Sequence, residues 1–385
     1  MSTSNAQAKL DYIAGTKTAI KDAIELKGVT VGAATFREYA DKIGEISTGG
    51  TWQPQPEWID ISTVGDNEIN LLVTEGTGIA FSTTVAGAGT YTIDWGDGTV
   101  ETSRASGTIY MHQHIANGTA WGATYTWKIR IYGATGDITG WKVERHTYTT
   151  RKQYHPILWA VFGTMGMTTY ANAFYNTTDD DVNCVDLQSC VIPTFASVSN
   201  TSNMFASCYA LSSITLPTSW GSVSNTSSMF SYCCALSSIT LPTSWGSVSN
   251  TSYMFSYCHS LKYINNIDYL GSISVACDFT DFAKDCEFLQ TTTTIASLIS
   301  KIGIYGASGY KLKVTSIRLT NASSTFGGSS PQVNVSYTDL DATALNTLFG
   351  DLPTLTGKTI VITGCTGAAT CDKSIATGKG WKVTN

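Results

Sequence analysis

Charge is scarce in this chain: Asp, Glu, Lys and Arg make up 14% of its 385 residues, against about 25% in an ordinary globular protein. The 29 acidic residues outnumber the 23 basic ones, giving a net charge of -6, and no basic stripe occurs. Neutralising a phosphate backbone takes clustered cations, so nucleic acid is excluded as a partner. No window of 18 apolar residues is present, so neither a spanning helix nor membrane insertion is expected. The first residues, Met1-Ser-Thr-Ser-Asn-Ala-Gln-Ala-Lys9, lack the positive and apolar regions of a secretory signal, and export by that route is not expected. Histidine is rare, and none of the five falls in an H-E-x-x-H spacing that gathers ligands around zinc. Apolar residues, in contrast, are plentiful at 42%, with 11% aromatic. That composition builds cores and excludes disorder for most of the chain. At about 100–200 residues per domain, two to four units are expected.

Residues 4–27 read as a helix with Ser4-Asn-Ala-Gln7 as its capping box, Gly28 as its stop, and Leu10, Ile13, Ile20 and Ile24 at 3/4 spacing. A second helix begins at Thr35-Phe-Arg-Glu38 and places Phe36, Tyr39, Ala40, Ile43 and Ile46 on one side. Segment 1–48 is therefore expected to be a helical hairpin. Too short to bury a core alone, it reads as an anchor or oligomerisation element, with docking on its own chain as the alternative. A linker spans 49–56, with Gly49-Gly50 and Trp52-Gln-Pro-Gln-Pro56.

From 57 to 140 the pattern changes to short β-type runs at 70–73, 78–82, 90–94 and 125–132, with the tight turn Asp94-Trp-Gly-Asp-Gly98-Thr between them. The strand running into a W-G-D-G-T turn, and the late strand Tyr125-Thr-Trp-Lys-Ile-Arg-Ile, resemble the PKD-like family. That resemblance implies an immunoglobulin-like β-sandwich of the kind used as a spacer or adhesive module. Where the family carries H-x-Y, this chain has His112-Gln-His114-Ile.

The strongest pattern is a repeat. Val198-Ser-Asn-Thr-Ser-Asn-Met-Phe-Ala-Ser-Cys208, followed by Leu211, Ile214, Leu216 and Trp220, recurs almost verbatim 25 residues later and then begins again. Met204, Met229 and Met254 align, as do Cys208, Cys233 and Cys258. Degenerate copies flank these units. A fixed period of 20–29 residues is the mark of a leucine-rich solenoid. The V-x-N-x-S-x-M-F-x-x-C-x-x-L-x-x-I-x-L pattern resembles the BspA-like leucine-rich repeats over about 168–290, within a repeat domain assigned to 141–290. Residues 291–385 read as a C-terminal cap of the same style, with a short helix at 341–349. The expected fold class is mainly β and multidomain: helical hairpin, immunoglobulin-like (PKD-like) sandwich, and leucine-rich-repeat solenoid with a cap.

Between Leu187 and Leu261 there is no charged residue. Such a surface recognises through hydroxyls, amides and aromatic faces, which suits sugars. The candidate ligand-binding residues are therefore Trp220 and Trp245, one repeat apart, and Tyr209, Tyr232 and Tyr257, read as a further column. The alternative for the Trp pair is interior packing, which is the expected role of the Met and Cys columns. The ten cysteines are expected to be thiols, with only Cys365 and Cys371 close enough in sequence for a local pair. Asn200, Asn225 and Asn250 fit glycosylation sequons but, as repeated turn residues, read as local caps.

Little points to catalysis. Gly357-Lys-Thr359 lacks the earlier Gly of a phosphate loop, because Leu352 stands there, and no G-x-S-x-G elbow occurs. Asp94 and Asp97 lack the calcium-loop ligand series and read as turn residues. His112 and His114 would share one face of a strand, where a metal between symmetry copies competes with plain surface or turn residues, the favoured reading. No catalytic residue, cofactor or metal is assigned. The runs Lys9-Leu-Asp-Tyr-Ile-Ala-Gly-Thr-Lys-Thr-Ala-Ile-Lys-Asp-Ala-Ile24 and Thr35-Phe-Arg-Glu-Tyr-Ala-Asp-Lys-Ile43 are similar to N-terminal segments of bacteriophage structural proteins such as head and tail fibres. The resemblance implies a homo-oligomeric virion component, assembled in the host cytoplasm, held to other virion proteins by its N-terminus and displaying the solenoid to a host glycan or protein. A bacterial surface adhesin and a polysaccharide depolymerase are the competing expectations.

Overall fold

A computed structural model describes residues 60–74, 78–114, 126–144, 157–175, 186–245, 247–266, 277–290, 293–295, 299–308, 311–319, 326–327 and 329–385. The expected hairpin, with Leu10, Ile13, Ile20, Ile24, Phe36 and Ile43, lies outside them, as does the linker. The chain divides into two units, Met1–Trp58 and Ile59–Asn385, and all of the described residues belong to the second.

The first part of this unit is two antiparallel sheets. Strands β1 (Ile69–Thr74), β2 (Ile79–Val85), β3 (Thr90–Asp94), β4 (Val100–Ala105), β5 (Ile109–His112), β6 (Thr126–Tyr132) and β7 (Ile138–Val143) fall where the alternating runs predict strands, with β4, β5 and β7 added. The order β5-β2-β7 makes one sheet, while β1-β6-β3-β4 belongs to the other. Their inner faces meet through Tyr91 on Tyr110 (ring centroids 6.0 Å), Phe81 on Trp95 (5.4 Å) and Trp141 on Phe162 (5.7 Å). The Asp-Trp-Gly-Asp-Gly turn joins β3 to β4. Asp94 Oδ1 accepts from Gly96 N–H (3.0 Å) and Asp97 Oδ1 from Thr99 N–H (2.9 Å), so both carboxylates act as turn residues, as the sequence suggests. Gly96 has φ +82°, and a Cβ there would run into the Lys128 carbonyl, so only glycine fits.

The first sheet does not end with its own hairpins. Strand β7 crosses the boundary expected at 140, and β8 (Ile157–Phe162) pairs antiparallel with β1 on one side and parallel with β9 (Ser189–Val191) on the other. With β10 (Ser213–Thr215) next to β9, one seven-stranded sheet runs from the sandwich-like region into the repeats. All six residues of β8 are buried, as both-face coverage of a central strand requires.

Beyond β8 each turn of chain lies on the next as a parallel coil. β11 (Ser238–Thr240) pairs with β12 (Tyr263–Asn265), and a second ladder joins Thr169, Asn200, Asn225, Asn250 and Asp278. The segment after each ladder position is a chain of tight turns with two alternating sets of bonds. In one coil the N–H groups of Met204, Ala206 and Cys208 donate to carbonyls three residues back, while those of Asn203, Phe205 and Ser207 donate to Ser227, Met229 and Ser231 of the next coil. Ser228, Phe230 and Tyr232 repeat the second set toward Ser252, Met254 and Ser256. Backbone groups that would be orphaned in an isolated loop are thus satisfied by stacking. Asn200, Asn225 and Asn250 accept from the N–H two residues on at 2.9–3.0 Å, so the local-cap reading of these asparagines holds.

The interior is a set of like-on-like columns. Phe174, Phe205, Phe230 and Phe255 stack at 5.3, 5.4 and 5.5 Å with near-parallel rings. Met204, Met229 and Met254 are fully buried. Cys233, Cys258 and Cys286 donate their thiols to the carbonyls of Phe205, Phe230 and Phe255 at 3.2, 3.0 and 2.9 Å. Burial drives these thiols up, Cys286 to about 12. Cys365 repeats the pattern on Val335 (3.1 Å), and Cys365 and Cys371 are both free thiols, so they do not form a local pair. Trp220 and Trp245 belong to this interior too. Both are fully buried, with their rings 4.8 Å apart and tilted by 54°, Trp220 also packing on Phe195. The expectation that this pair binds a ligand is therefore corrected: a large apolar ring repeated at each corner fills the gap between coils.

The C-terminal region continues the coil. β13 (Cys277–Lys284), β15 (Ile299–Tyr305), β17 (Val333–Asn334), β18 (Lys358–Val361) and β19 (Trp381–Thr384) form a five-stranded parallel sheet, with β14 (Thr293–Ile295) and β16 (Ile317–Leu319) paired beside it. Helix α1 (Ala342–Asp351), capped by Asp341, is held to β16 by Asp351, which takes Arg318 in a two-pronged pair (2.7 and 3.1 Å) and the Leu319 N–H. A short helix, α2 (Ser374–Thr377), leads to β19, whose Trp381 is buried on Phe326 and donates to the Pro353 carbonyl.

Two outcomes are expected of this interior. Trp220→Ala and Phe230→Ala should each cost about 3–5 kcal/mol in urea unfolding, the range for emptying a buried aromatic site. Alkylation of the native protein, read by peptide mass spectrometry, should mark half-buried Cys234 and Cys371 and spare Cys208, Cys233, Cys258 and Cys286 until denaturant is added; modification of Cys233 in the native state would contradict the packing.

Candidate functional site

With Trp220 and Trp245 inside, the exposed aromatic rings of the charge-free stretch 187–261 are tyrosines. Tyr209, Tyr232 and Tyr253 are 45%, 40% and 42% exposed, and Tyr257 is half-buried. Their register differs from the single column expected. Tyr232 and Tyr257 occupy equivalent places in successive coils, where the coil before has Ser207; Tyr209 lies two residues further along, in line with Cys234 and His259. A third column runs Asn203, Ser228, Tyr253, Asp281. Sequence reasoning missed Tyr253 because its column holds a different residue type in every coil.

The two tyrosine columns have an unusual backbone. Residues 203, 207, 228, 232, 253, 257, 281 and 285 all have positive φ, with Tyr232 at 62°, Tyr257 at 63° and Tyr253 at 59°. Asn and Asp tolerate this left-handed region through local side-chain bonds, whereas a bulky ring is disfavoured by about 1–2 kcal/mol. The alternating pattern of the turns imposes the conformation, since it directs every second N–H toward the next coil. At Tyr232 and Tyr253 the ring at such a position is exposed. Tyrosine is therefore present at these positions despite a local backbone penalty.

The rings form a graded strip. Tyr232 and Tyr257 stack at 4.5 Å with an interplanar angle of 12°. Lys284 places its Nζ 5.2 Å from the centre of the Tyr257 ring, and His259 meets that ring edge-on at 6.3 Å. Beside them Tyr253 and Tyr305 both face Asp281. The Tyr232 and Tyr253 phenols are held above the ordinary tyrosine range. Burial, then the adjacent Tyr257 and Tyr209, push Tyr232 up; the Asp281 carboxylate, then burial, do the same for Tyr253. A hydrogen bond with Tyr257 holds Lys284 above the ordinary lysine range. One end of the strip is thus neutral and hydroxyl-bearing, and the other carries Asp281, Lys284 and Asp285. Such an arrangement can stack on a flat apolar face and exchange hydrogen bonds with hydroxyls.

No curated protein and no solved structure matches the chain. Residues 169–313 match the BspA type Leucine rich repeat region in six copies, so the stacked coils that carry the tyrosine strip are leucine-rich repeats of the BspA-like kind, folded as a β-solenoid.

Proposed function

We propose that this chain is a non-enzymatic recognition protein whose solenoid binds a neutral, hydroxyl-rich ligand on a cell surface, a glycan being the best fit, through Tyr209, Tyr232, Tyr253 and Tyr257. One observation carries the reading: exposed aromatic rings stand at positive-φ positions where other coils have Ser or Asn. Local strain held by the surrounding structure is characteristic of functional positions, and exposed, preorganised tyrosines are typical interface anchors. Repeats similar to those of the BspA type fit a surface-binding, adhesin-like role.

The double variant Tyr232→Ser with Tyr253→Ser, which installs the residue that each column already carries one coil earlier, should keep its unfolding free energy within about 1 kcal/mol. It should bind source cells or an immobilised surface-glycan panel at least about tenfold more weakly, or about 1.4 kcal/mol. Unchanged binding by a folded variant would remove the tyrosine strip from the recognition surface.

The finer reading is a bacteriophage virion protein, head or tail fibre or decoration, assembled in the host cytoplasm and self-associating. Its segment 1–48 would hold other virion proteins while a PKD-like spacer and the solenoid project toward the host. It rests on the resemblance of Lys9–Ile24 and Thr35–Ile43 to phage structural proteins. The same strip would equally serve a bacterial surface adhesin. Immunogold labelling with an antibody to residues 52–385 should decorate phage particles; gold on cell envelopes and none on particles would establish the adhesin instead.

A further inference from the structure

Far along the sequence from the tyrosine strip, at the Gly-rich turn between β3 and β4, three side chains with metal-ligating atoms converge. Asp97 comes from the turn, His112 from the end of β5, and His114 from two residues beyond. Their ligand atoms all lie within 4.8 Å of one another. Contrary to the surface or turn reading of this histidine pair, His114 is 3% exposed.

Asp97 and His114 are each oriented by a backbone partner that leaves a ligand atom available, and His112 meets Asp97 directly. Asp97 uses Oδ1 to accept the Thr99 N–H, and its Oδ2 faces His112 Nε2 at 2.6 Å. His114 Nε2 lies 2.7 Å from the Trp95 carbonyl. A carbonyl only accepts, so Nε2 carries the proton and the lone pair of the neutral ring is on Nδ1. A second ring nitrogen tied to a backbone carbonyl is the usual support of a metal-bound histidine. The rings are also fixed in place: His112 stacks on Trp95 at 4.7 Å and 15°, and His114 lies 4.8 Å from Trp127. Trp95 itself is fully buried in the core between the two sheets.

We infer that Asp97, His112 and His114 form a binding site for a transition-metal dication of the zinc class, with Asp97 Oδ2, His112 Nε2 and His114 Nδ1 as ligands. Two imidazoles and one carboxylate suit zinc and disfavour calcium or magnesium, which take oxygen ligands. The hydrogen-bonded contact between Asp97 and His112 is replaced by two bonds to the ion, with loss of any proton the pair shares. Asp97 and His112 border solvent, so the remaining coordination position opens outward, to water or to a donor from a neighbouring molecule. The bound ion ties the turn to the end of β5, which the hydrogen bond alone does less firmly.

The test uses the full chain after chelation, titrated with zinc chloride by calorimetry, and with cobalt(II) followed by its visible absorption. One equivalent should bind and raise the unfolding temperature, because the unfolded chain holds no such site. His114 is buried and its loss would confound folding, so the variants are Asp97→Asn and His112→Gln. Each should fold with an unchanged circular dichroism spectrum and bind at least about tenfold more weakly, with the thermal shift lost. Absence of saturable binding by the parent overturns the site. So does an equivalent that both folded variants retain, which would place the ion elsewhere, and so does displacement of zinc by millimolar calcium.

Discussion

The structure depends on coil-to-coil register. Because the repeat is 25 residues long and the chain advances by one strand spacing per coil, about 4.8 Å, each residue lies on its equivalent in the next unit. The interior columns of Phe, Met and Cys are direct results of that register. So is the alternation of hydrogen bonds, with even-numbered N–H groups of 204–208 bonded within the coil and odd-numbered ones to the coil beyond. No coil could satisfy these groups alone, which is why stability in such arrays is shared among neighbours.

The same register accounts for the missing charge. In a near-verbatim repeat a charged residue would be stacked on its own copy at strand spacing, and like charges placed so are destabilising. Where the repeat degenerates, charge returns at once: Asp278, Asp281, Lys284 and Asp285 all fall in the coil that follows the last close copy. Neutrality is thus first a consequence of periodicity, and it creates a surface suited to uncharged ligands. Tyr232, Tyr253 and Tyr257 stand at positive φ, a conformation that the turn pattern requires of every residue in their columns but that does not favour an aromatic ring.

The sandwich-like region and the solenoid share backbone as well as core. Strand β8 is antiparallel to β1 and parallel to β9, so the antiparallel sheet supplies the first rung on which the parallel coils build. An exposed end on the repeats is thereby covered, the role that terminal units play in solenoids. At the far end Trp381, itself on the last parallel strand, is buried against Phe326, and the ladder continues to Thr384.

Much was legible in the sequence for a physical reason: periodicity is local. The repeat, its buried Met and Cys columns, the strands at 69–74, 90–94 and 126–132, the asparagine caps and the α1 helix all derive from spacing and turn chemistry within a few dozen residues. Three features were decided only by tertiary structure. An aromatic repeated once per coil is equally consistent with an inward or an outward column, and packing against Phe195 and between coils sent Trp220 and Trp245 inward. The 25-residue period already sets Tyr209 in line with Cys234 and His259, but only packing and the inter-coil hydrogen bonds decide which tyrosines are exposed and that Asp281 follows Tyr253 in its column. Asp97 and His112 are 15 residues apart and meet because the sheets pack on Trp95. Sequence determined what repeats; the hydrogen-bond register and the packing between sheets determined which side chains meet and which of them face solvent.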